Sequence, residues 1–225
     1  MIDSNVAGES KSEKVRFSVL VERFREAFYA SSMSELPDGA FQPAGGKLGQ
    51  MIFENPGEEI DLHLQFFIEI AFQPFELDDE VLNPLLRINN IVVPAKSWKD
   101  LAESGHEFPY APKPGSVDGA VMLFGEQNPA DVTQLQFGEC QDGKIAVQFS
   151  TEVDFEIEAD REDLEQIEMN FDLLLEVQSL RISTSLEKRC DGDEDAIVSA
   201  VVGLVDLEVY GPLEKVAGGF VFSVS

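Results

Sequence analysis

Apolar and polar residues alternate almost without interruption from Ile145 to Glu158, and again from Ile167 to Val177. The first run sets Ile145, Val147, Phe149, Val153, Phe155 and Ile157 against positions that include Glu152, Asp154 and Glu156. The second sets Ile167, Met169, Phe171, Leu173 and Leu175 against Glu168, Asn170, Asp172 and Glu176. A period of two sends successive side chains to opposite faces of a strand. The pattern therefore predicts two long strands with one buried face and one hydrated, acidic face. Asp142-Gly143, just ahead of the first run, is a tight-hairpin signal. The apolar positions change parity between Leu175 and the pair Leu180 and Ile182, which predicts a bulge near Gln178-Ser179.

The same periodicity marks Ile60 to Phe72 as a long strand, with shorter ones at 48–53, 86–93, 120–124 and 133–137. Asn128-Pro129 reads as the turn between the last two, and Gly219 to Val224 as a final strand. A different period appears near the N-terminus. Phe17, Leu20, Val21, Phe24 and Phe28 recur at helical spacing after the capping box Ser10-Lys-Ser-Glu13, predicting an amphipathic helix that ends near Tyr29. Residues 31–47, rich in Gly and Pro, read as a loop, and residues 105–118 as another. Ser97 to Glu103 has room for one or two helical turns. Asp191-Gly-Asp193-Glu-Asp195 places negative charge ahead of the apolar stretch Ala196 to Val205, as at a helix N-terminus; its valines leave a buried strand open as the alternative.

Length then constrains the architecture. Fourteen residues of strand reach roughly 45 Å at about 3.3 Å each, whereas a helix from Glu13 to Tyr29 covers only about 25 Å. One helix cannot hide the apolar face of the long hairpin, so a second covering layer is required. The expected fold is α+β and predominantly antiparallel β: a large curved sheet or two packed sheets, with the N-terminal amphipathic helix and a helix near the C-terminus. Residues 1–9 are expected to be a disordered tail and 10–225 a single domain. A faint echo between 48–93 and 133–178 admits an internal duplication, with coincidence as the competing explanation.

Charge narrows the functional classes. The chain of 225 residues carries a formal net charge of -27, with a pI near 4.2. Recognition of a phosphate backbone needs clustered Lys and Arg, so nucleic acid is not an expected partner. The N-terminus lacks the basic and apolar regions of an export signal, and no apolar run is long enough to cross a bilayer, so the expectation is a cytoplasmic protein without membrane association. Cys140 and Cys190 are then expected as thiols. With only His63 and His106 beside them and no metal-ligand spacing, no zinc site and no cofactor is expected.

Catalytic motifs are missing where they would be looked for. Gly45-Gly46-Lys47 resembles the end of a phosphate loop, but Phe41 stands where its first glycine belongs and a strand follows. Asp191 to Asp195 opens like a calcium loop, yet Ala196 and Val202 occupy the positions of its obligatory Gly and bidentate carboxylate. There is no nucleophile elbow. The acidic face remains: Glu152, Asp154, Glu156, Glu168, Asp172 and Glu176 are the candidate binding residues. A connection symmetric about 159–165 would set Glu156 opposite Glu168 and Glu152 opposite Asp172. Facing like charges destabilise a sheet, so a basic partner or bound cations would offset them; a merely hydrated face is the bland alternative. The leading expectation is a non-enzymatic interaction module for a basic protein or cations. A binder of a small apolar ligand between sheet and helices comes second, and a carboxylate- or metal-dependent enzyme third. Neither the oligomeric state nor a specific partner is encoded legibly.

Overall fold

The alternating segments become strands, and the strands close into a barrel. The structure, a computed structural model, describes residues 36–37, 39–77, 79–155 and 166–224, which belong to the second of the two units, 1–35 and 36–225, into which the chain divides. The expected tail and N-terminal amphipathic helix lie outside the described residues. In chain order the strands are β1 Pro43–Asn55, β2 Ile60–Phe72, β3 Phe75–Leu77, β4 Glu80–Leu82, β5 Leu85–Ile91, β6 Gly105–Glu107, β7 Asp118–Leu123, β8 Glu126–Asp131, β9 Gln134–Gln141, β10 Lys144–Val153 and β11 Ile167–Ile182. Two short helices follow, α1 Thr184–Arg189 and α2 Glu194–Val201, and then the hairpin β12 Tyr210–Val216 and β13 Gly219–Val224.

Stepping through hydrogen-bonded neighbours from β11 to β1, β2, β5, β7, β8 and β10 leads back to β11. Closure answers the covering problem posed by the long hairpin. A sheet that curls onto itself hides its apolar face against its own far wall and needs no long helix to do so. Leu48, Phe66, Ile68, Ile88, Val147 and Leu175 are among the inward residues with no exposed surface. Aromatic side chains fill the end near the N-terminus of β11. Phe149 stacks on Phe171 at 4.7 Å between ring centres, and Phe41 packs edge-on to Phe72 at 5.4 Å and stacks on Phe155 at 5.8 Å.

The sheet is mostly antiparallel but mixed, because β1 lies parallel to β11. Along that pair, Leu48 is opposite Val177 and Gln50 opposite Leu180, so β11 carries one extra residue. The bulge falls at Gln178-Ser179, where the change of parity predicts it. Gln50, fully buried, donates from its side-chain amide to the Gln178 carbonyl at 2.8 Å and accepts from the Tyr210 hydroxyl at 2.5 Å. A carbonyl that the bulge takes out of the ladder thus keeps a partner. Burial pushes the Tyr210 hydroxyl pKa well above its ordinary value, partly countered by its hydrogen bond with the Trp98 backbone, so it remains a donor.

Two local expectations are corrected. Residues 43–47 belong to β1 rather than to a loop. At Gly46 a neighbour needs the space: a Cβ there would collide with Leu175, as one on Gly49, further along β1, would with the ring of Phe67. Asn128-Pro129 is strand, not turn. The turn is made by Phe124-Gly125, both at positive φ (56° and 80°), and buried Asn128 donates from within to the carbonyls of Val121 and Leu123 at 3.1 and 3.3 Å. The Asp142-Gly143 turn forms as expected, with φ of 52° and 72°. The question over residues 196–205 resolves as a short helix: α2 starts at the cap Asp193, whose carboxylate accepts from the Ala196 N–H at 2.9 Å, and stops at Val201.

Candidate functional site

On the outer wall, cross-strand register decides which charges meet. The β10–β11 pairing sets Glu152 opposite Glu168, Gln148 opposite Asp172 and Lys144 opposite Glu176. The register of a symmetric connection is therefore not the one adopted. β10 ends where Val153 meets Ile167, and Glu156 lies outside the described residues.

Of the six candidate residues, the structure brings Glu152 and Glu168 together. On its other edge Glu152 is opposite Asp131 of β8. Asp131, Glu152 and Glu168 thus form a row of three exposed carboxylates across three adjacent strands. They border a small cleft of about 160 Å³ that also takes in Tyr110, Thr133 and Ser150, and among the described residues no Lys or Arg lines it. Directly opposed side chains in an antiparallel pair have Cβ atoms about 4.5–5.5 Å apart, close enough for mutual repulsion in water.

The remaining candidates are placed differently. Asp172 accepts a hydrogen bond from the Gln148 amide at 3.1 Å. Asp154 is half-buried just past the end of β10, and its backbone N–H donates to the Pro129 carbonyl at 3.2 Å. Glu176 belongs to a second row at the far end of the hairpin. There Lys144, Glu176, Lys47, Glu69 and Arg87 face one another in succession across β10, β11, β1, β2 and β5. Signs alternate throughout, and the Arg87 guanidinium meets the Glu69 carboxylate at 3.1 Å.

Sequence reading missed Asp131. Reading Asn128-Pro129 as a turn put Asp131 into a loop, and its inward neighbours Asn128 and Ala130 give only a weak apolar alternation. His106 and Cys140 do not join the row. His106 is bound to the Ser104 hydroxyl at 2.9 Å, and burial lowers its pKa. Burial raises the Cys140 pKa, against a smaller opposing pull from Lys99, which keeps the thiol protonated. Both cysteines are free thiols. Among the described residues no group of three or more His, Cys, Asp or Glu side chains is arranged to hold a metal ion, and no helix is long and apolar enough to cross a membrane. Comparison of the chain with protein-family models, curated proteins and solved structures finds no match.

Proposed function

We propose that this protein is a non-catalytic binding module that captures a basic polypeptide segment along its acidic wall. The observation that carries this reading is the row Asp131, Glu152 and Glu168, a like-charged line in which both cross-strand pairs, Glu152 with Glu168 and Glu152 with Asp131, set acid against acid. Three aligned carboxylates store repulsion that a lysine- or arginine-bearing strand would relieve on binding. The net charge of -27 adds long-range attraction for such a partner. The connection from β10 to β11 continues the theme in sequence, with Glu156, Glu158, Asp160, Glu162, Asp163 and Glu165 against the single base Arg161. A basic segment is a better match than a single cation, because the carboxylates are spread along a row instead of converging on a point.

The test is binding of a fluorescent oligolysine peptide to the full chain, read by anisotropy at low salt. The triple variant Asp131→Asn, Glu152→Gln, Glu168→Gln should bind about tenfold or more weakly, as expected for lost charge-assisted contacts. A control variant with Glu76, Glu80 and Glu214 neutralised changes net charge by the same amount on other strands. Equal losses in the two variants would mean that binding follows net charge alone, and the reading would fail.

A further inference from the structure

The alternating row borders a second, larger cleft on the outer wall, of about 410 Å³, lined by Gly45, Lys47, Leu85, Lys144, Leu174 and Glu176 among others. That volume falls within the range of about 300–1,000 Å³ typical of small-molecule clefts. We propose that it binds a small amphipathic carboxylate, with Lys47 and Lys144 holding the anion and Leu85 and Leu174 receiving the apolar part. This does not depend on the acidic row at the other end of the hairpin.

Charge balance selects an anion. Glu69, which also lines the cleft, is engaged by Arg87 at 3.1 Å, outside the lining. Glu176 is then left facing two lysines, Lys144 on one edge and Lys47 on the other. The cleft holds one basic charge beyond what its carboxylates offset, on a chain whose net charge is -27. Such an excess is the requirement for a monoanion.

The apolar half of the ligand follows from Leu174. It occupies a hydrated position between Leu173 and Leu175 and is 58% exposed, so it adds nothing to the barrel core. Leu85 lies across the same cleft, half-buried. Gly45 supplies the third observation. A Cβ there would meet nothing within 4 Å, and its backbone is not in the left-handed region, so neither packing nor conformation requires glycine. A side chain added there, in the lining of the cleft, would project into open space. Glycine at a position the fold leaves unconstrained fits a floor that a ligand approaches closely.

The probe is sodium octanoate, titrated against the full chain by calorimetry and by amide chemical shifts, with octylammonium of equal chain length as the comparison. Octanoate should bind saturably, and octylammonium at least about tenfold more weakly despite the protein's opposite charge. Replacing Lys47→Gln together with Lys144→Gln should cost octanoate about tenfold or more, the scale of a lost charged hydrogen bond. Gly45→Trp should fill the cleft and remove binding while leaving the melting temperature unchanged; Gly45→Val serves in its place if the larger residue prevents folding. The triple neutralisation at Asp131, Glu152 and Glu168 should leave octanoate affinity intact. Octylammonium binding as tightly as octanoate, full affinity in the cleft-filling variant, or no saturable binding would each overturn the proposal.

Discussion

The two ends of the β10–β11 hairpin share a buried face and differ in how they handle charge. At one end Lys144, Glu176, Lys47, Glu69 and Arg87 alternate in sign across five strands, so every carboxylate lies between two cations. At the other, Asp131, Glu152 and Glu168 lie side by side with the same sign. Cross-strand pairs are worth roughly 0.2–1 kcal/mol in either direction, so the first row supports the fold while the second taxes it. Water and salt make the tax tolerable, because all three carboxylates are exposed. The comparison shows that an acidic composition does not make a uniformly acidic wall. A single hairpin here separates a surface of alternating charge from one of like charge.

The apolar half that both ends share should give the largest effect. Phe171→Ala removes the ring stacked on Phe149 at 4.7 Å from a nearly solvent-free position. Denaturant unfolding should show a loss of about 3–5 kcal/mol, the cost of emptying a buried aromatic site. If the hairpin is one cooperative unit, backbone probes at both rows should report that loss together.

Charge reversal should break the comparison itself, with opposite signs at the two ends. Glu152→Lys places a cation between Asp131 and Glu168 and should stabilise by about 0.5–1 kcal/mol. Glu176→Lys places a third cation between Lys144 and Lys47 and should destabilise by about the same amount. Both effects should shrink as salt rises from about 0.01 to 1 M, where the screening length falls from about 30 to 3 Å. Thermal melts across that range check both statements, and two shifts of the same sign would erase the distinction between the rows.

The smallest effect sharpens the comparison by removing a titration that belongs to neither row. Burial holds the His106 pKa below its ordinary value of 6.5. Its imidazole is thus more easily protonated unfolded than folded. The stability it contributes is fully present above that value and is lost as pH falls below it. His106→Asn should flatten the stability profile of the native chain as pH drops through that window, measured by urea unfolding at a series of pH values.

Much of this hairpin was legible in advance. The alternation of Ile145 to Val153 and Ile167 to Leu175 gave its buried face, Asp142-Gly143 its turn, and the parity change its bulge at Gln178-Ser179. These are local signals, carried by neighbours in sequence. Which strands lie beside one another is a long-range matter. Nothing in residues 43–55 announces that β1 runs parallel to β11, or that β8 reaches β10 to complete a ring. The acidic pairing depended on a connection whose length does not reveal its shape, so the register was misplaced and Asp131 was overlooked. Gly46 misled for a related reason. Its need for glycine comes from Leu175, a side chain that approaches from another strand.

The ring is joined between β8 and β10 by a short ladder, with Glu152 opposite Asp131 and Val153 opposite Ala130, extended by the Asp154 N–H to the Pro129 carbonyl. The unrelieved carboxylates therefore sit on the barrel's own seam. Any cationic strand laid across them would act as a clasp, turning occupancy into tighter closure of the wall. Amide protons of Val153 and Asp154 should then exchange with solvent more slowly in the complex than in the free protein, so the seam serves as a built-in gauge of whether the acidic wall is occupied.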